Sequence, residues 1–143
     1  VSPRMRLDLT VNILTYNAIK NNIINVFGGK QIRPNIHIND MVDIYCFFLK
    51  KKIPTGIYNA GFENMSVISI AKLVSNITGA KIEVQKSNDP RSYRLDSSKL
   101  LKRGFKPKYS VETGIEDVIK FTKSTKILKS FFSVKWLKDL SIK

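Results

Sequence analysis

The chain has 143 residues, the length of one domain, and 43% of them are hydrophobic, an ordinary share for a chain that buries a core. Its 25 Lys and Arg against 11 Asp and Glu give a formal net charge of +14, which favours a polyanion, a phosphorylated ligand or an acidic membrane surface without choosing among them. One cysteine excludes a disulfide framework within the chain, no apolar run approaches the ~20 residues of a spanning helix, and no signal-peptide pattern opens the sequence, so a reducing cytoplasm is the expected compartment.

The opening Val1-Ser2-Pro3-Arg4 reads as the middle of a longer polypeptide. Leu7, Val11, Leu14 and Ala18 recur at helical spacing, and Ile23-Ile24-Asn25-Val26-Phe27 is a short strand that ends at Gly28-Gly29. Asn35-Ile36-His37-Ile38 is predicted as a second strand. Asn39 or Asp40 then caps a helix with the apolar stripe Met41, Ile44, Tyr45, Phe48 and Leu49, closed by Lys50-Lys51-Lys52 and Pro54.

Gly56 to Gly61 is predicted as a glycine-bounded strand, and Ser66 as the cap of a helix carrying Val67, Ile70, Val74 and Ile77 and ended by Gly79. Ile82 to Gln85 alternates as a strand, Ser87 to Leu95 is polar loop, and Asp96 or Ser97 starts a short helix that Gly104 ends. Ser110 caps a last helix with Glu112, Glu116 and Asp117 near its positive end and Val111, Ile115, Val118 and Ile119 facing inward. Residues 1–122 therefore form a mixed α/β unit. Residues 123–143 form a basic amphipathic tail, in which Phe131, Phe132 and Trp136 alternate with Lys129, Lys135 and Lys138. Such a tail suits packing on the body or on a partner subunit better than lying on a membrane.

One histidine, His37, and a cysteine in an apolar helix leave no material for a Ser-His-Asp set or a His/Cys metal cluster, so neither catalytic nor metal-ligating residues are assigned. No Gly-x-Gly-x-x-Gly follows a strand, so no cofactor-binding residue is assigned either.

The order Ser2-Pro3-Arg4-Met5-Arg6, Val11-Asn12, Val26-Phe27-Gly28-Gly29, Gln31-Ile32-Arg33, Ile36-His37-Ile38-Asn39-Asp40, Ile57-Tyr58-Asn59-Ala60-Gly61, Ser66-Val67 and Lys99 with Gly104-Phe105-Lys106-Pro107 resembles the second half of NAD-dependent nucleotide-sugar epimerases and dehydratases, UDP-glucose 4-epimerase among them. These are extended short-chain dehydrogenases/reductases. The resemblance covers residues 1 to about 122 and leaves the tail unmatched. It implies the carboxy-terminal, substrate-binding portion of such an enzyme, lacking most of the Rossmann half that holds NAD and the catalytic Ser/Thr, Tyr and Lys. The parent then binds a nucleotide-diphosphate sugar, uses NAD, and is compatible with a homodimer, whereas this chain alone holds no NAD and is inactive.

By motif, Asn12 resembles the asparagine near the substrate diphosphate, and Val26 and Phe27 resemble the strand under the nucleotide base. Arg33 resembles a phosphate-contacting arginine, while Arg91 and Tyr93 sit in a loop resembling the second phosphate-binding stretch. Arginine suits a diphosphate because its planar guanidinium offers paired, charge-assisted donors. Two departures from the pattern stand out. The loop lacks the usual Gly-Asp, so Arg91 and Arg94 are interchangeable in that role, and the turn after Phe27 is one residue short. Plainer readings stand beside these: Asn12 as a solvent-facing helix residue, Arg33 as an exposed turn residue, Tyr93 as a packed aromatic, and His37 as structural. Tyr16 and Lys20 repeat the Tyr-x-x-x-Lys spacing of the catalytic pair but fall on the substrate side and are set aside. A basic module for nucleic acid or membrane surfaces is the alternative, without a recognisable stacking or groove-reading motif to support it.

Overall fold

The computed structural model describes residues 5–87 and 90–124. Helix α1 (Thr10–Asn21) follows Leu9, which has extended backbone, and it ends at Asn22 in the left-handed region (φ 55°) with the Asn22 N–H bonded to Ala18 O. Asparagine tolerates that conformation better than any residue but glycine. Strand β1 (Ile23–Phe27) buries Ile24 and Val26 and pairs in parallel with β4 (Lys81–Gln85), Ile24 opposite Ile82. Gly28 and Gly29 then take φ of 78° and 99°, and the Gln31 side chain braces the turn by accepting from Gly29 N–H (2.6 Å) and donating to Phe27 O (2.7 Å). A Cβ on Gly29 would also come within 3.2 Å of Ile68 and Val26, so this turn requires glycine.

Strand β2 (Ile32–Asn35) pairs antiparallel with β3 (Glu63–Ser66), and the missing N–H of Pro34 is accommodated because this sheet has only two strands. The expected strand at 35–38 is thus shifted toward the amino terminus. The cause lies at His37: its Nδ1 accepts the Asn39 N–H (3.2 Å), which makes His37 the cap of α2 (Ile38–Lys50) and draws Ile38 into the helix. Asn39 and Asp40 are therefore not caps. The Asp40 carboxylate is buried and accepts the backbone N–H groups of Lys108 and Tyr109 at 2.9 and 3.2 Å.

Helix α3 (Val67–Thr78) is as the sequence predicts, capped by Ser66, whose Oγ accepts Ser69 N–H, and ended by Gly79 at φ 77°. After β4, residues 90–95 carry no regular structure, and α4 (Ser98–Leu101) and α5 (Val111–Ser124) complete the chain. Ser110 Oγ accepts the Thr113 N–H, as expected of its cap. The tail reading falls on residues 125–143, outside the described residues. The predicted strand at 56–61 is absent: residues 57–60 belong to no ladder.

Helix α1 packs against α3 and α5 over β1, and Leu14, Ala18, Ile24, Val26, Ile70, Val74 and Ile115 form the main core. Each Leu, Ile or Val side chain among them that is removed from water stabilises the fold by roughly 1.5–3 kcal/mol before conformational entropy is counted. A smaller cluster joins Met5, Leu7, Tyr16 and Val118, and a third joins Ile44 of α2 to Leu100 and Phe105, with Phe47, Phe48, Tyr58 and Phe62 around it. In α2, Ile44 and Phe48 face inward as predicted, but Tyr45 and Leu49 face outward.

Candidate functional site

A cleft of about 990 Å³ opens between the start of α1, strand β2, the start of α2, the loop at 91–93 and the start of α5. Four of the six sequence-predicted residues, Asn12, Arg33, Arg91 and Tyr93, line it. β2 presents Arg33 to the cleft, and its Nη1 donates to Ile32 O (3.0 Å) and Arg91 O (2.6 Å) while its guanidinium stands 5.2 Å from the centre of the Tyr93 ring. The loop is tied to the same strand, because Ser92 Oγ accepts the Ile32 N–H (2.9 Å) and Ile32 O accepts the Tyr93 N–H (3.3 Å). Two residues far apart in sequence are thereby fixed as one cationic wall with an aromatic face.

The first turn of α1 also lines the cleft. Leu9 offers no side-chain cap, no acidic residue occupies the first turn, and residues 9–12 face the cleft, so the positive end of the helix is turned toward it. Asn12 Nδ2 donates to Arg6 O (2.7 Å), which steadies the approach to the helix. Arg6 lines the same cleft and grips Asp8 through Nε and Nη2 at 3.0 and 2.8 Å; that hydrogen bonding, and then the Asp8 charge, raise the pKa of Arg6. At the start of α5 both Glu63 carboxylate oxygens accept the Val111 N–H at 3.1 Å and supply a negative charge, as Asp8, which also lines the cleft, does beside the start of α1.

Val26 and Phe27 lie elsewhere. Val26 is fully buried in the main core, so its side chain is unavailable to a ligand, and Phe27 is half-exposed at the end of β1 outside the cleft. Alternation along a strand whose one face packs on α1 and α3 makes this outcome necessary for Val26. Arg6 was the residue that motif spacing did not single out; its signal was proximity to the α1 start within the Arg4-Met5-Arg6 run. Glu63 and Tyr109 also line the cleft and carried no signal in sequence.

His37 forms part of the wall, buried, with Nε2 3.4 Å from Asp117 Oδ2 and its ring stacked on Tyr109 at 4.5 Å. Nδ1 accepts the cap bond, and Nε2 lies on the side of the Asp117 carboxylate. The histidine fastens three elements together. Among the described residues no group of three or more His, Cys, Asp or Glu is placed to hold a metal ion, and no helix is long and apolar enough to cross a membrane. Gly28-Gly29 leads into β2, not into a helix, so it cannot present helix N–H groups to a dinucleotide pyrophosphate.

No family model matches the chain. Solved structures do. UDP-glucuronic acid 4-epimerase from Bacillus cereus, in complex with UDP-glucuronic acid and NAD, is similar at 26% identity and a TM-score of 0.70 over 86% of this chain and 42% of that one. UDP-glucose 4-epimerase from Thermus thermophilus in complex with NAD gives 21% identity and 0.67 over 82% and 40%, and dTDP-glucose 4,6-dehydratase from Bacillus anthracis gives 19% and 0.69 over 84% and 40%. The chain spans about two fifths of the length of these proteins.

Proposed function

We propose that this chain, which has the fold of part of an extended short-chain dehydrogenase/reductase, is the nucleotide-sugar-binding portion of an NAD-dependent epimerase or dehydratase. The observation that carries this reading is the convergence of Arg6, Arg33 and Arg91 with the uncapped start of α1 on one cleft. A nucleoside diphosphate is a compact dianion, and a helix N-terminus facing a guanidinium wall is suited to it. In this reading Arg33 and Arg91 hold phosphate oxygens, Asn12 positions the first turn of α1, and Tyr93 keeps the Arg33 guanidinium flat.

The substrate class favoured is a UDP-hexose, and the parent reaction favoured is 4-epimerisation, with dehydration close behind. These residues supply remote binding energy that positions the sugar ring, and no group among them performs proton or hydride transfer. NAD would supply transient oxidation of a sugar hydroxyl in the parent. Among the described residues no glycine-rich turn leads from a strand into a helix as a dinucleotide loop does, so the cofactor is assigned to the remainder of the parent.

Isothermal titration of a UDP-hexose into the full polypeptide tests the site. Arg33→Ala is expected to weaken binding by about 10-fold or more, the equivalent of one charge-assisted hydrogen bond. Unchanged affinity would remove Arg33 from the pocket. Stoichiometric NAD in purified residues 1–143 would overturn the assignment of the cofactor to the other half.

A further inference from the structure

The positive charge is unevenly spread. Helices α1 and α3 carry one charged side chain each, Lys20 and Lys72. Lys50, Lys51 and Lys52, by contrast, stand together at the end of α2, and Lys99, Lys102, Arg103 and Lys106 lie on α4 and the loop after it, all seven exposed. The aromatic cluster beneath them joins the two groups. Phe47 packs edge-on against Phe105 at 5.6 Å, and Phe48 against Tyr58 at 5.1 Å. Lys51 Nζ lies 4.9 Å from the Phe47 ring centre and would be 4.0 Å from a Cβ on Gly104, which places it at the turn that follows Arg103. Lys99 Nζ lies 4.4 Å from the Tyr58 ring centre and donates to Ile57 O (2.9 Å).

The acids of the same segments do not neutralise this patch. Asp40 is buried on the N–H groups of Lys108 and Tyr109, and Asp43 pairs with Lys108 at 2.7 Å. Asp96 is held by Ser98, with only a minor pull from Lys102. Among the described residues none of the seven cations has a carboxylate within ion-pair distance. Like charges gathered in this way repel one another, and a polyanion laid over them offsets that repulsion.

The side chains of the patch distinguish one polyanion from another. Six of the seven cations are lysines, point charges without the paired donors that grip a single phosphate. The nearby rings lie under ammonium groups or, as with Phe105, in the core, so they offer no free face on which a nucleobase could stack. Leu101, 41% exposed, instead sets an aliphatic group among the cations of α4. Lysines around an exposed aliphatic side chain suit the headgroup layer of an acidic bilayer, where each cation near the surface adds roughly five-fold in affinity.

We propose that the end of α2 and α4 form a peripheral docking surface for an anionic lipid bilayer. None of the seven cations lines the cleft, so this contact does not depend on the nucleotide-sugar reading.

Sedimentation of the full polypeptide with vesicles made of equal parts phosphatidylcholine and phosphatidylserine tests this. Binding that weakens steeply as salt rises is expected, with none to pure phosphatidylcholine. Lys52→Gln with Lys102→Gln and Lys106→Gln should weaken it about 100-fold, without moving the unfolding midpoint or UDP-hexose affinity. The same loss of charge spread over α1, α3 and β4, Lys20→Gln with Lys72→Gln and Lys81→Gln, should weaken it by less than about 5-fold. Equal weakening by the two triple variants would assign the effect to net charge and overturn the proposal, as would no binding to the mixed vesicles. Binding that survives the first variant but is lost on deleting residues 125–143 would assign it to the tail and overturn the proposal too. Tighter binding to a short single-stranded RNA than to the mixed vesicles at the same salt would overturn it in favour of nucleic acid. Vesicle binding that follows the patch in a polypeptide without UDP-hexose affinity would sustain the proposal and sink the functional reading alone.

Discussion

The body formed by β1, β4, α1, α3 and α5 and the arm formed by α2, residues 57–62 and α4 are both rich in apolar residues, yet the body buries far more of them than the arm does. In the body, Ile24, Ile70 and Ile115 are fully buried by elements of this chain. In the arm, Phe47, Phe48, Tyr58, Phe62 and Phe105 interlock in aromatic pairs 5.1–6.1 Å apart on one side of α2, while the other side meets solvent. Hydrophobicity thus states that a segment is to be buried, not which part of the polypeptide buries it.

The contrast can be broken most directly in the body. Ile70→Ala should lower stability by about 2–5 kcal/mol in urea unfolding, the range for emptying a closed core position. A loss under about 1 kcal/mol would mean that the body is as loosely packed as the arm.

The junction comes next. Asp40 joins α2 to the loop that leads into α5 through two buried N–H groups, so Asp40→Ala leaves both without an acceptor and should cost about 2–4 kcal/mol. Proteolysis near Lys108 should accelerate in the same variant.

A gain is expected at Thr122, whose hydroxyl is buried in the body without a partner among the described residues. Thr122→Val keeps the shape, removes the unsatisfied group, and should raise the unfolding free energy by about 1 kcal/mol.

The smallest effect belongs to the exposed start of α4. Hydrogen bonds from the Ser98 N–H (2.9 Å) and hydroxyl (3.0 Å), with a minor pull from Lys102, hold the Asp96 carboxylate below its ordinary range. Its pKa is therefore lower folded than unfolded. The stabilisation is present above the unfolded value and is lost as pH falls through the folded one. Asp96→Ala should flatten that part of an acid-unfolding curve followed by circular dichroism, with a small loss of stability at neutral pH that disappears once the pH falls below the folded value.

Local signals were legible wherever sequence and neighbourhood agree. The Ser66 cap, the Gly79 stop and the strand at 82–85 depend on a few adjacent residues, and all three stand in the structure, although Val84 faces solvent where alternation would bury it. The boundary at 35–38 was missed because a histidine cap is chemically possible but uncommon, and Ile36 and Ile38 alternate as a strand would. The strand at 56–61 has the right composition but no partner to pair with, and pairing is not a property of the segment itself. In the candidate site, Arg33, Arg91 and Tyr93 could be named from motif order, but their meeting through the Arg91 carbonyl is a tertiary fact. Val26 lies in the core and outside the cleft, because strand position does not say which face carries a ligand and which the core.

The parallel pairing of β1 with β4 also fixes an order of events during synthesis. β1 leaves the ribosome well before its partner, which is made only after β2, α2, β3 and α3, a delay on the order of seconds. Until then Ile24 and Val26 have no sheet to join, and α1 lacks the α5 surface on which it will pack. Long-range pairing of this kind folds slowly because a large loop must close before the contact rewards it. For this chain, the yield of native protein is set as much by what shields that early strand in the nascent polypeptide as by the stability of the finished fold.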